Sequence, residues 1–156
     1  MWEELLDEAD LAFPLETGGV LMGYWVEPRR EVVVTDVIGP GPNATHASTG
    51  FLPDAKYQEG EIDRIYLDSG RLITYLGDWH THPLGSCSLS FKDKRTLHHI
   101  ANFGDARCHE PLMAVLGGGK DGEWLVRIWK YAPHILPRLF GFVATTLSPI
   151  VYENRR

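Results

Sequence analysis

Apolar positions along this chain alternate between helical and strand spacing, and the changes of period divide it into elements. Trp2, Leu5, Leu6, Ala9 and Phe13 fall on one side of a helix over residues 2–13, which Pro14 closes. Gly18 and Gly19 read as a tight turn into a strand from Val20 to Val26. After the turn Glu27-Pro28-Arg29-Arg30, the run Glu31 to Ile38 predicts the partner strand of an opening hairpin. Gly39 to Gly50 (G-P-G-P-N-A-T-H-A-S-T-G) is expected to be a loop with little regular structure. A helix from about Asp54 to Ser69 follows, carrying Tyr57, Ile62, Ile65 and Tyr66 and stopped at Gly70. Leu72 to Trp79 is rich in β-branched and aromatic residues and predicts a strand that Pro83 and Gly85 break. Ser90 then opens a helix in which Phe91, Leu97, Ile100, Ala101 and Phe103 form the apolar face. Pro111 to Gly117 reads as a buried strand, and Glu123 to Tyr131 as its partner across a glycine-rich turn. Strands and helices interleave, so the expected class is α/β (α+β): a mixed central β-sheet flanked by helices. No repeat or domain boundary interrupts the chain. A single domain over residues 1–156 is expected, with 132–156 packed on it as a C-terminal helix or extended arm.

The chemistry concentrates between Asp78 and Asp93, D-W-H-T-H-P-L-G-S-C-S-L-S-F-K-D. Alternate side chains of a strand share a face, so His80 and His82 stand side by side at the strand end. Asp93 lies one turn into the following helix, close enough to swing back toward them. Two neutral nitrogens and one carboxylate suit a catalytic zinc that keeps its fourth position open. Each half has an ordinary reading as well. Ser90-x-x-Asp93 is the pattern of a helix capping box, and H-x-H is often a pair of plain polar residues. Among rival metal sites, a barrel amidohydrolase needs about 200 residues or more, against 156 here. Metallo-β-lactamase-type clusters want further Asp and His where Leu84 and Gly85 stand. A two-His-one-carboxylate iron oxygenase stays open on ligand types alone.

His80-Thr81-His82, seven residues beginning with Pro83, then Ser90, two residues and Asp93 resembles the signature of the JAB/MPN zinc metalloproteases, the JAMM isopeptidases. That pattern also has an upstream glutamate in E-T-G-G, and Glu16-Thr17-Gly18-Gly19 supplies it. The resemblance covers roughly residues 10–131. It implies the MPN/JAB (cytidine-deaminase-like) fold, with Zn2+ held by His80, His82 and Asp93. It implies Glu16 as general base turned acid, and Ser90 as a hydroxyl donor to the oxyanion. It further implies cleavage after the extended C-terminal tail of a ubiquitin-like protein. The wording Y-L-G-D-W-H-T-H-P looks most similar to small bacterial members found beside ubiquitin-activating-like and ubiquitin-conjugating-like enzymes, including CBASS antiphage operons. There the protease releases a conjugated protein or matures a ubiquitin-like precursor. The alternatives that go with the resemblance are a protease for ubiquitin-like sulfur carriers and an MPN scaffold that binds no metal.

Composition narrows the rest. A net charge of −6 offers no basic excess for a nucleic-acid partner. The acidic N-terminus is unlike a signal peptide, and no uninterrupted apolar run reaches membrane length. Cys87 and Cys108 are too few for a disulfide framework, so a cytoplasmic location is expected. Cys87 sits in the active-site loop, but water-based hydrolysis needs no thiol. His46 is read as a solvated loop histidine; His98, His99, His109 and His134 as surface or helix-face residues.

Overall fold

The computed structural model describes residues 2–27, 31–120, 122–133 and 142–147. Helix α1 (Trp2–Ala12) leads into strands β1 (Gly18–Val26) and β2 (Glu31–Ile38), then the short strands β3 (Thr45–Ala47) and β4 (Gly50–Leu52). Helix α2 (Ala55–Asp68), strand β5 (Thr74–Pro83), helix α3 (Phe91–Asn102) and strands β6 (Leu112–Gly118), β7 (Trp124–Pro133) and β8 (Phe142–Leu147) complete the order. The main sheet runs β2-β1-β5-β6-β7-β8. Among the described residues only β5 and β6, joined through α3, pair in parallel. The sheet is therefore mixed and flanked by helices, as the sequence pattern predicts.

Strand alternation sorts the side chains onto two faces. Leu21, Leu76, Trp79, Leu112, Ala114 and Leu116 pack with Leu5 and Ala9 of α1. On the opposite face, Val20, Met22 and Ile38 meet Ile65 of α2, while Met113, Val115 and Tyr131 meet Leu97 of α3. The central strands β1 and β6 are buried on both faces, the expected state when helices cover each side.

A bulge sets which face of β5 carries the chemistry. Leu21 pairs with Gly77 and Met22 with Tyr75, so the ladder skips Leu76. Beyond it Asp78, His80 and His82 point to the α2/α3 face and Trp79 and Thr81 to the α1 face. Gly77 has φ 146°, and a Cβ there would lie 2.0 Å from the Leu112 carbonyl oxygen. No other residue fits.

Two expectations need correction. Gly18 and Gly19 belong to β1 rather than to a turn. They are glycines because a Cβ would lie 2.3 Å from the Trp79 carbonyl oxygen and 1.9 Å from that of Ile38, respectively. The Gly39–Gly50 stretch is not without regular structure. Thr45–Ala47 and Gly50–Leu52 pair as a separate two-stranded ribbon, with His46 opposite Phe51. The prolines and glycines upstream hid this hairpin of three-residue strands. Of residues 132–156, β8 extends the sheet antiparallel to β7; 134–141, including His134, and 148–156 lie outside the described residues.

Candidate metal centre

At the end of β5 the imidazoles of His80 and His82 converge, their Nε2 atoms 3.1 Å apart. Asp93 places Oδ1 3.4 Å from His80 Nε2 and Oδ2 3.6 Å from His82 Nε2. Zinc–ligand bonds of about 2.0–2.1 Å at tetrahedral angles put neighbouring ligand atoms roughly 3.3 Å apart. The nearest approaches lie around that value, the two to Asp93 being made by its two different oxygens. One donor atom from each residue lies within 4.8 Å of the others, so the set can close on one small ion. The protonation pattern also fits. His82 Nδ1 lies 2.9 Å from the Ser86 carbonyl oxygen. A carbonyl only accepts, so Nδ1 carries the proton and Nε2 keeps its lone pair for a metal.

Asp93 is held by the capping box. Its backbone N–H donates to Ser90 Oγ at 3.2 Å, and its Oδ2 accepts from the Ser90 N–H at 2.6 Å. Both readings of S-x-x-D are thus realised together: the cap that starts α3 also orients the carboxylate. Burial alone would raise this carboxyl. The contacts and charge of His80, with those of Ser90, outweigh burial and hold it well below the usual carboxylate range. Because Ser90 Oγ accepts from Asp93, its O–H remains a donor for another partner.

The β1–β5 ladder continues past its last strand pair. Thr81 N donates to the Thr17 carbonyl at 2.8 Å, and Thr17 N to Thr81 Oγ1 at 3.0 Å. Gly18 faces His80, so the next same-face position on this line brings Glu16 opposite His82. Desolvation by burial raises the Glu16 carboxyl above its ordinary value, opposed by His82, His80 and Lys92. Lys92 arches from α3 toward the ribbon, its Nζ 3.0 Å from where a Cβ on Gly50 would sit.

The active-site loop is pinned from three sides. Leu84 N donates to Gly118 O, Trp129 Nε1 to Cys87 O at 2.9 Å, and Cys87 Sγ to Leu125 O. Asp78, on the same strand face, accepts from the Tyr75 hydroxyl at 2.7 Å. Burial pushes its carboxyl up to about 6, against the Tyr75 bond and the His80 charge. His98, His99 and His109 are exposed. His46, by contrast, is half-buried, its Nδ1 3.0 Å from the Glu16 carbonyl oxygen. Nothing in its loop sequence signals that contact. Ser86 was equally silent, since a backbone carbonyl leaves no mark on residue type.

Hydrolytic chemistry is what such a site can perform: a three-donor cluster with a glutamate facing it and a free hydroxyl at its edge, as in metallopeptidases. Known proteins narrow the class. The chain matches the family described as prokaryotic homologs of the JAB domain over residues 1–131, and it belongs to that family. It is a JAMM-type peptidase. It is 40% identical over 149 residues to the probable metalloprotease y4qB of Sinorhizobium fredii, covering 95% of this chain and 90% of that one. It is 30% identical over 125 residues to a CD-NTase/cGAS isopeptidase of Enterobacter hormaechei, covering 78% of this chain and 66% of the relative. The solution structure of protein DSY2949 from Desulfitobacterium hafniense shares the fold, with TM-score 0.60, 18% identity, and 92% and 84% of the two chains covered.

Proposed function

We propose that this peptidase is a zinc-dependent isopeptidase. Its substrate would be a ubiquitin-like protein, or a protein conjugated by a ubiquitin-transfer-like system, cut after an extended C-terminal tail. The Enterobacter relative, named a CD-NTase/cGAS isopeptidase, supports the isopeptidase reading; antiphage defence is the proposed setting. The observation that carries the reading is the His80–His82–Asp93 cluster, with donor spacings of 3.1 to 3.6 Å and Glu16 across the ladder from it.

His80 and His82, through Nε2, and Asp93, through a carboxylate oxygen, would hold the zinc. Bound there, zinc lowers the pKa of water and polarises the scissile carbonyl. Glu16 takes the proton of the attacking water and delivers it to the leaving nitrogen; a carboxyl raised by desolvation is suited to both halves of that transfer. Ser90 donates its hydroxyl to the oxyanion, a contribution of about 2.7–4 kcal/mol where one such donor is lost. The β3–β4 ribbon beside Glu16 has a strand edge suited to an extended tail, where backbone bonds supply affinity with little demand on side chains.

The test is elemental analysis of wild type and His82→Ala purified together, followed by a gel assay on ubiquitin-like fusions and on a nucleotidyltransferase conjugated through its C-terminus. About one zinc per wild-type chain and little in the variant is expected, with cleavage by wild type only. A folded wild type that takes up no zinc would favour a scaffold instead.

A further inference from the structure

Glu16 stands in the connection between α1 and β1, outside the regular strands, yet both of its backbone polar groups are taken. Its N–H donates to the Ala47 carbonyl at 2.8 Å. Its carbonyl lies 3.0 Å from His46 Nδ1, which must carry a proton because a carbonyl only accepts. Ala47 and His46 are consecutive residues of β3, so that strand grips residue 16 from both ends of its peptide unit. The grip is itself braced. The His46 ring stacks on Phe51 with centroids 6.4 Å apart and planes 14° from parallel. Phe51 lies against Gly18, where a Cβ would come within 2.6 Å of its ring. On the other side Thr17 is fixed by Thr81. The φ and ψ of Glu16, and hence the direction in which its carboxylate leaves the backbone, are set by the ribbon.

We propose that His46 is a positioning residue for Glu16. It uses its Nδ1–H to hold the backbone of the general base, with Phe51 as its brace. The proposal rests on the reading of Glu16 as the base. Misplacement of a reacting group by about 1 Å costs on the order of 10²-fold in rate, so the signature is a loss in kcat rather than in KM or metal content.

The first measurement is made on the metal-free protein. Nitrogen-15 histidine NMR should find His46 protonated at Nδ1, and amide exchange at Glu16 should accelerate in His46→Ala. In the zinc-loaded protein, His46→Ala should lower kcat about tenfold or more, with KM, zinc content and Tm near wild type. His46→Asn, whose side-chain amide can donate from the Nδ1 position, should recover most of the loss. In a Glu16→Gln background, single-turnover rates should show no further loss on adding His46→Ala. Wild-type kcat in His46→Ala while Glu16→Gln is impaired would overturn this inference alone, as would an equal loss in both backgrounds or an Nε2–H tautomer. Wild-type activity in Glu16→Gln would overturn the base reading and this inference with it.

Discussion

On the proposed mechanism Ser90 has two tasks for one oxygen, and the two can be separated. As helix cap, its hydroxyl oxygen accepts from Asp93 N; as proposed oxyanion donor, it gives its proton away. Glycine is nearly as good a cap, costing a few tenths of a kcal/mol, whereas alanine costs about 0.5–2. Ser90→Gly should therefore leave Tm almost unchanged while kcat falls about 10²–10³-fold; Ser90→Ala should lose both. Glu16 yields a prediction in pH. Desolvation raises its carboxyl, so it keeps its proton to higher pH than an ordinary glutamate, and kcat/KM should climb through that raised value as pH rises. Lys92 pulls the same carboxyl down, so Lys92→Met should move the acid limb further up. A pH–rate profile of each protein checks the sign. Burial pushes the Cys108 thiol up to about 11, next to the Asp78 carboxyl. It should stay unlabelled by iodoacetamide at pH 8 in the folded protein, since the thiolate is the reactive form, and label on unfolding; peptide mass spectrometry reads this directly. At this scale the sequence was legible where identity and spacing coincide. His80, His82, Ser90 and Asp93 could be read from their intervals, and Glu16 from E-T-G-G. His46 could not, because its contact is with the backbone of a residue thirty positions away.

The elements hold the site through backbone contacts that residue type records poorly. Gly117 shows the point. A Cβ there would lie 2.7 Å from the Ser86 backbone and 2.8 Å from Cys87 N, so the active-site loop rests on the glycine. Gly117→Ala should lift that loop, loosen the Ser86 bond to His82 and weaken zinc binding about 10–100-fold, the usual cost of disturbing a ligand's supporting contact. Competition with a chromogenic chelator would measure it. Long periodic segments were readable: α1, α2, α3 and the five strands of the main sheet other than β8 correspond to runs of one period. The β3–β4 ribbon was not, because three residues carry too little periodicity to outweigh Gly39, Pro40, Gly41 and Pro42. The bulge at Leu76 was hidden as well. It shows only in the pairing with β1, and without it His80 and His82 would face α1.

For the whole molecule, the mixed sheet separates its duties. The α1 face is apolar core, while the α2/α3 face carries apolar core under each helix and, where β5 ends, the His80–His82–Asp93 cluster. No helix among the described residues is long and apolar enough to cross a membrane. Zinc binds the folded state alone on this reading, so zinc at 100 times its Kd should add about 2.7 kcal/mol of stability. For a chain of this length that corresponds to a Tm rise of roughly 5–10 °C. Differential scanning calorimetry should find the rise in wild type and none in His82→Ala.

The capping box and the Ser86 carbonyl hold Asp93 and His82 by bonds internal to the protein, so these two donors do not wait for an ion to aim them at His80 on its strand. Uptake then needs neither folding nor rearrangement, only exchange of an ion's water for ligands already aimed. A preset N, N, O cluster ranks the first-row divalent ions by their intrinsic affinities, copper above zinc and both above manganese. Occupancy by zinc would accordingly be governed by supply: the ion carried is the one the cell leaves free.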